Sequence, residues 1–281
     1  MAIGREMSRL IKKPLHRILN GLGWMALRGT DGTLELRPRV SLGDDPMRDI
    51  RYILGPSIQT VFDVGANEGQ TVTRFARAFP EADIYSFEPD PNTFKRLSSA
   101  AAGIQRARLF NAAVGREPGE AQLFRFGLDE TNSLLPKAAG ADSFVVDASY
   151  LRETGTVPVS VTTIDAVGEA SGISRIDLLK IDTQGYELEV LNGARRFLNS
   201  NSVATVFAEV CFVRYYENQP LFQDVYTFLY ERGFRLVAIY ESGFLTHCYQ
   251  VGGNALFVHE SVGQAKPLRT SFKIGPLKIG W

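Results

Sequence analysis

The chain has 281 residues, 31 Lys and Arg against 31 Asp and Glu, 44% hydrophobic residues and 22% charged ones. That balance excludes a disordered chain, and 26 Gly and 13 Pro scattered without period exclude collagen-like and low-complexity chains. A neutral total gives no general reason to expect nucleic acid as a partner.

The first 28 residues differ from the rest. Arg5, Arg9, Lys12, Lys13, Arg17 and Arg28 face only Glu6, and Met7, Leu10, Ile11, Leu15, Ile18, Leu19 and Leu22 recur at helical spacing. A basic amphipathic helix of this kind suits an anionic membrane surface or docking on its own domain. Pro14 argues against an unbroken helix. Residues 261–281 carry Lys266, Arg269, Lys273 and Lys278 with no acid, and the two tryptophans, Trp24 and Trp281, lie in the flanking segments. Basic ends with interfacial aromatics suit an anionic bilayer as well as packing on the domain or on a second subunit, so a homodimer stays open. The organisation expected is a basic extension over 1–55, an α/β domain over 56–260 and a basic tail over 261–281. No apolar run approaches ~18 residues, the usual length of a spanning helix. The N-terminus has no apolar stretch followed by a small-residue cleavage site, so the expected location is cytoplasmic, with peripheral contact at the inner membrane surface as an extension of that.

From Gln59 the pattern alternates between strands and helices. Thr60–Val64 and Asp83–Phe87 read as buried strands, with helical spacing over Glu68–Phe79 and, after Pro91 in the first turn, over Asn92–Ala102. Arg108–Val114 reads as a third strand. The rhythm then changes. Glu120–Phe126 and Thr156–Thr163 look extended and Thr131–Gly140 looks like loop, so residues 115–163 read as a β-rich insertion. Strand Ile176–Ile181, helix Glu187–Leu198, strand Val203–Val210 and helix Leu221–Arg232 resume the alternation. Strands Phe234–Tyr240 and Ala255–Val258 close it with no helix between them. Such an order predicts a mostly parallel, doubly wound sheet with one antiparallel strand.

The chemistry gathers at strand ends. In Asp63-Val64-Gly65-Ala66-Asn67-Glu68-Gly69 a glycine turn follows a strand and opens a helix, which lets backbone approach a ligand. The spacing is not G-x-G-x-x-G, which argues against an NAD-dependent oxidoreductase. Asp63 and Glu68 are wrong for a diphosphate and right for a cationic or amino-bearing ligand. Glu88 ends the second strand, 25 positions after Asp63, where a carboxylate can accept both hydroxyls of a ribose, and Pro89 stiffens the loop behind it. Asn111 and Ala112 end the third strand, where small residues leave room for a flat base. Strand parity puts Lys180 and Asp182 on one face of the fourth strand. Lys180 needs a counter-charge, from Asp182 or from another strand-end carboxylate such as Glu209. His247 lies in the last connection. Two cysteines, Cys211 and Cys248, and three dispersed histidines, His16, His247 and His259, make no disulfide framework or metal motif.

Phe62-Asp63-Val64-Gly65-Ala66-Asn67 resembles motif I of S-adenosylmethionine-dependent methyltransferases. Phe87-Glu88-Pro89 and the long stretch from Leu179 to Ala194, with Asp182-Thr183-Gln184-Gly185-Tyr186-Glu187 at its centre, resemble the FkbM-type members. The resemblance runs from about Val61 to His259. It implies a Rossmann-like seven-stranded sheet of order 3-2-1-4-5-7-6 with the last strand antiparallel, helices on both faces and S-adenosyl-L-methionine as cofactor. It also implies that Asp63, Gly65, Ala66, Asn67 and Gly69 hold the methionine part, with Asp63 near its amino group. Glu88 and Pro89 would serve the ribose, Asn111 and Ala112 the adenine, and Asp182 would lie close to the transferred methyl. The family O-methylates hydroxyls of glycans and secondary metabolites. Methyl transfer needs alignment and a base for the hydroxyl proton, so Asp182 is the first candidate for the base, with Glu209 and His247 in reserve. No metal is expected. Asn132 and Ser133 in the insertion are the expected acceptor contacts. A chain that binds the donor without turnover is the alternative.

Overall fold

The computed structural model describes residues 24–28, 34–38, 42–244, 249–263 and 272–274. They fall into two compact units, one of residues 43–265 and one formed by residues 1–42 with 266–281. In the smaller unit, strands β1 (Trp24–Arg28), β2 (Leu34–Pro38) and β13 (Phe272–Ile274) make an antiparallel sheet in the order β1-β2-β13. Phe272 pairs with Leu36 and Ile274 with Leu34. Strands far apart in the sequence thus share one sheet. The amphipathic helix expected within the first 22 residues lies outside the described residues.

The larger unit opens with α1 (Pro46–Leu54), which the sequence pattern assigns to the extension but which packs into this unit. Asp45 caps it by accepting from the amides of Met47 and Arg48, and Pro46 fits the first turn. Buried Asp49 accepts from the Tyr240 hydroxyl at 2.8 Å and from the Gly43 amide at 2.7 Å.

Seven strands form the main sheet: β3 (Thr60–Val64), β4 (Asp83–Phe87), β5 (Ala107–Phe110), β9 (Ile176–Ile181), β10 (Val203–Cys211), β11 (Phe234–Phe244) and β12 (Gln250–His259). Their order is β5-β4-β3-β9-β10-β12-β11, and β12 alone runs antiparallel to its neighbours. Counted along the chain within this sheet, that is the expected 3-2-1-4-5-7-6. Alternate residues of each strand feed opposite faces. Phe62, Phe87, Leu179, Ile181 and Val206 pack on one side with α5 (Glu187–Asn192), α6 (Arg195–Asn199) and α7 (Phe222–Tyr230). Val61, Ile84, Leu178 and Phe207 pack on the other with Ile50 of α1, Phe75 of α2 (Gln70–Ala78) and Leu97 of α3 (Pro91–Ala101). Burial on both faces is why these strands are continuous apolar runs.

Between β5 and β9 the chain builds a second sheet from β6 (Ala113–Val114), β7 (Gly119–Arg125) and β8 (Gly155–Thr162), in the order β6-β8-β7. This is the β-rich insertion. Its long connection folds into short 3-10 turns over Phe126, Ala141 and Leu151, which pack with Tyr216.

Three local differences have physical reasons. The expected strand Arg108–Val114 is two strands. The Asn111 side-chain amide donates to the carbonyls of Glu88 and Pro89 (2.9 and 3.0 Å), and beyond it Ala113 and Val114 pair with β8 instead. A helix, α4 (Ile164–Ala170), follows β8 where the periodicity shows none. Thr163 caps it by accepting from the Ala166 amide. The single helix expected over Glu187–Leu198 breaks at Gly193. There the Gly193 carbonyl accepts from the Asp165 amide of α4 at 2.9 Å, and a Cβ on Gly193 would lie 2.0 Å from the Gly115 carbonyl oxygen. Gly193→Ala should therefore destabilise the protein by about 1–3 kcal/mol, the usual cost of forcing extra atoms into a packed site. A urea melt measures it, and an unchanged midpoint would show that this backbone approach can relax freely.

Candidate functional site

The carboxyl ends of β3, β4, β9 and β10 and the near wall of the insertion surround a cavity of about 390 Å³. The turn after β3 forms its floor. Gly65 has φ +76°, and the amides of Gly65 and Ala66 donate to the Phe87 carbonyl at 3.0 and 2.9 Å. A Cβ on Gly65 would lie 1.8 Å from the Asp182 carbonyl oxygen, so only glycine lets β3 turn this close to the end of β9. Gly65, Ala66 and Asn67 line the cavity. Gly69 does not. It caps α2 at φ +98° and lies against Ala100 and Leu97 of α3.

Lys180 locks that turn. Its ammonium donates to the Gly65 carbonyl at 2.6 Å and the Val64 carbonyl at 3.3 Å, and pairs with Asp63 at 3.3 Å and Asp182 at 3.7 Å. Burial works against its charge, and the Asp63 and Asp182 carboxylates overcome that, so its pKa is raised. Asp63 is wholly buried and also accepts from the Thr71 hydroxyl at 2.7 Å. It is not part of the cavity wall. The structure thus places Asp63 against the lysine and the helix α2, off the cavity wall. Register explains the choice, because Asp63 on β3 lies directly beside Lys180 on β9.

Glu88 follows β4 and faces the same cavity. Its carboxylate accepts from the Asn67 amide at 3.1 Å and the Asp90 amide at 2.9 Å, one bond per oxygen. Each oxygen keeps acceptor capacity for one hydroxyl. Burial pushes its pKa up to about 7. Pro89 and Ala112 line the cavity beside it, whereas Asn111 is exposed and ties the Glu88–Pro89 loop from behind.

Asp182 follows β9, with a side chain 37% exposed. The Gln184 side-chain amide donates to Asp182 at 3.0 Å and to Glu209 of β10 at 2.8 Å. Burial, with Asp182 and Glu187 nearby, raises the Glu209 pKa well above the ordinary carboxylate range. Glu187 is buried and accepts from the amides of Thr183 and Gly185, both at 3.1 Å, which closes the turn between β9 and α5. On the insertion, Asn132 lines the cavity and accepts from the Phe126 amide at 2.9 Å. Ser133 is buried and donates to the Gln184 carbonyl at 2.6 Å, outside the cavity wall. His247 lies outside the described residues.

Two buried polar atoms on this wall have no partner within the protein, the Asn67 Oδ1 acceptor and the Asn132 Nδ2 donor. The wall carries Glu88, Asp129, Glu130, Asp182 and Glu209 against Lys180, whose ammonium is already surrounded by oxygens. Such a cavity fits a cationic ligand with a ribose-like diol and open polar contacts. Among the described residues no three His, Cys, Asp or Glu side chains are grouped to hold a metal ion, and no helix is long and apolar enough to cross a membrane.

Sequence reasoning alone does not find Gln184, Tyr186 or the insertion residues Leu123, Glu130 and Leu134 on this wall. The left-handed backbone of Gln184, at φ +53°, sets its position, and only the neighbouring Gly185 hints at that in the sequence.

A model of the methyltransferase FkbM domain matches residues 63–236. The 2-O-methyltransferase NoeI of Sinorhizobium fredii is 25% identical over 199 residues, 70% of this chain and 80% of that one. The hexuronic acid methyltransferase AglP of Haloferax volcanii is 27% identical over 143 residues, 50% of this chain and 52% of that one. The 31-O-demethyl-FK506 methyltransferase FkbM of Streptomyces tacrolimicus is 31% identical over 152 residues, 47% of this chain and 58% of that one. This chain thus spans little more than half the length of the latter two. The matched span starts inside β3, ends inside β11 and takes in the turn, Glu88, Asp182 and Glu209, and the chain belongs to the FkbM family of S-adenosylmethionine-dependent methyltransferases.

Proposed function

We propose that this chain O-methylates a hydroxyl of a glycan or another small-molecule acceptor. The observation that carries the reading is the position of Asp182. Of the four strand-end carboxylates, Asp63 and Glu88 are buried and Asp182 and Glu209 are partly exposed, and of the latter two Asp182 is the one that forms an ion pair with Lys180 at the cavity edge. The names of NoeI and the Streptomyces tacrolimicus FkbM, both O-methyl chemistries, and of AglP, a hexuronic acid methyltransferase, support the acceptor class.

In this reading Glu88 accepts the donor's ribose hydroxyls, with Pro89 and Ala112 against the base. The turn at Gly65, Ala66 and Asn67 holds the methionine end, and the acid-rich wall favours a cation. S-adenosylmethionine supplies a methyl group on a sulfonium, which is already a good leaving group. The residues therefore have to align and to take up one proton. Asp182 takes the proton of the acceptor hydroxyl at its carboxylate. Asn132 Nδ2, buried and without a partner in the protein, donates to an acceptor oxygen. A donor-binding chain without turnover is the competing reading, and loss of the base distinguishes the two.

The smaller unit supports a second, separate proposal. Residues 1–42 and 266–281 carry 12 basic residues against 3 acidic ones. We propose that this unit attaches the chain peripherally to an anionic membrane face.

Each reading has a measurement. Glu88 must be ionised to accept two hydroxyls, so donor binding lowers its pKa, and affinity falls as pH drops through about 7. Calorimetry with S-adenosylhomocysteine should show that decline in the native chain. Glu88→Gln should bind roughly ten- to a hundredfold more weakly and with a flatter pH dependence. An affinity that stays level down to pH about 5 would remove Glu88 from the ribose site.

Asp182→Asn should lower turnover by about 10²–10⁴-fold while donor affinity stays near native. The assay is labelled methyl transfer to a panel of glycans and polyols. Full turnover by the variant would place the base elsewhere, and no transfer by either protein, with donor binding intact, would favour the silent chain.

For the membrane, the full chain should pellet with phosphatidylglycerol vesicles at low salt, with phosphatidylcholine vesicles not at all, and lose binding at high salt. Equal pelleting with both lipids would overturn the electrostatic reading. A doubling of mass in ultracentrifugation without lipid binding would assign the unit to a second copy of the chain.

A further inference from the structure

Gln184 meets four groups from three parts of the larger unit. Its side-chain amide reaches Asp182 at 3.0 Å, at the end of its own strand, and Glu209 at 2.8 Å, on the next strand. Its side-chain carbonyl faces the Tyr216 hydroxyl at 3.3 Å, and that hydroxyl also donates to the Thr131 carbonyl of the insertion at 2.7 Å. Its main-chain carbonyl accepts from the Ser133 hydroxyl at 2.6 Å. The backbone is left-handed at φ +53°, a conformation that a non-glycine residue keeps only where its surroundings hold it. Ser133 and Tyr216 are both buried, so these contacts sit inside the fold.

We infer that Gln184 is a positioning residue that couples the seating of insertion residues Thr131–Ser133 to the Asp182–Glu209 carboxylate pair. The inference rests on the proposed role of Asp182 and goes beyond it. Two carboxylates so near each other repel or share a proton, and which happens depends on the neutral donor between them. Gln184 supplies one N–H to each. The groups facing the pair are Lys180 from the same strand, Glu187 at the start of α5, Cys211 on β10, and Tyr215 and Tyr216 after it. Of these only Lys180 carries positive charge; it pairs with Asp182 at 3.7 Å and its charge also reaches Glu209. The Gln184 amide donates to Glu209 at 2.8 Å, and this hydrogen bond holds down a pKa that burial, the charges of Asp182 and Glu187 and a hydrogen bond with Asp182 raise. The Ser133 and Tyr216 contacts therefore hold the Gln184 side chain where it donates to both carboxylates.

The test reads the carboxyl groups directly and needs no acceptor. Carbon-13 NMR of the full chain labelled at its side-chain carboxyls follows Asp182 and Glu209 through a pH titration. Gln184→Met keeps the length and removes the amide. It should move the Glu209 midpoint upward by about one pH unit, the size that one hydrogen bond to a carboxylate carries. Ser133→Ala and Tyr216→Phe, which leave Gln184 in place, should move the same signals in the same direction by less. Affinity for S-adenosylhomocysteine should stay near native in Ser133→Ala and Tyr216→Phe, whose side chains lie off the cavity wall. Should Gln184→Met fail to fold, the two milder variants decide the matter. Carboxyl midpoints unchanged in Ser133→Ala and Tyr216→Phe would overturn the coupling, even where the Gln184→Met midpoint shifts. Loss of donor binding by the native chain would instead count against the functional reading on which the inference rests.

Discussion

Four oxygen atoms converge on the Lys180 ammonium between β3 and β9: the Gly65 and Val64 carbonyls at 2.6 and 3.3 Å and the Asp63 and Asp182 carboxylates at 3.3 and 3.7 Å. The strand that carries this lysine is buried along its whole length. A charge there is tolerated only because its partners replace the water it has lost, and removal of one partner from such a set typically costs about 3–5 kcal/mol. The geometry has a further effect. The lysine comes from β9 and two of its contacts are the main chain of the β3 turn, so the ammonium fixes the glycine turn against the strand that ends in Asp182. The missing Cβ of Gly65 makes the approach possible, and the charge makes it stable. The floor of the cavity and the residue proposed as base are set by one contact.

Each strand around the cavity contributes one carboxylate, and the surroundings give each a separate character. Asp63 pairs with Lys180, accepts from Thr71 and has no share in the wall. Glu88 is buried, holds two amides and has its pKa raised to about 7. Glu209 is held well above the ordinary carboxylate range by burial and by its acidic neighbours. Asp182 is partly exposed, with a cation on one side and an amide donor on the other. A proton acceptor and a ribose acceptor need different electrostatics, and four like side chains at four strand ends span that range.

The sheet was legible because its central strands are buried on both faces. Thr60–Val64, Asp83–Phe87 and Ile176–Ile181 appear in the structure with the limits that their apolar runs set. Contacts across the sheet were not legible. Parity puts Lys180 and Asp182 on one face, but the register that sets Asp63 beside Lys180 is a property of two strands at once, and one sequence does not encode it locally. The division of Arg108–Val114 turns on the Asn111 side chain reaching back to the Glu88 loop. The break at Gly193 turns on the Gly115 backbone, nearly eighty residues earlier in the chain. In the insertion, Asn132 and Ser133 are adjacent, and extended backbone sends them to different places: one to the cavity, the other to Gln184.

The neutral total of the chain is a sum over two unlike bodies. Residues 43–265 hold 28 acidic and 19 basic residues, and the smaller unit holds 3 and 12. At physiological salt, charges separated by more than about 8 Å are largely screened from one another. A partner that approaches one surface meets the charge of that surface, and distant residues of opposite sign do not cancel it. The acid excess of the larger unit reaches the cavity wall, where five acidic residues stand against one lysine that is already paired. The basic excess belongs to the smaller unit. Neutrality therefore excludes no charged ligand for this protein, because two opposite preferences, each held by its own unit, add up to zero.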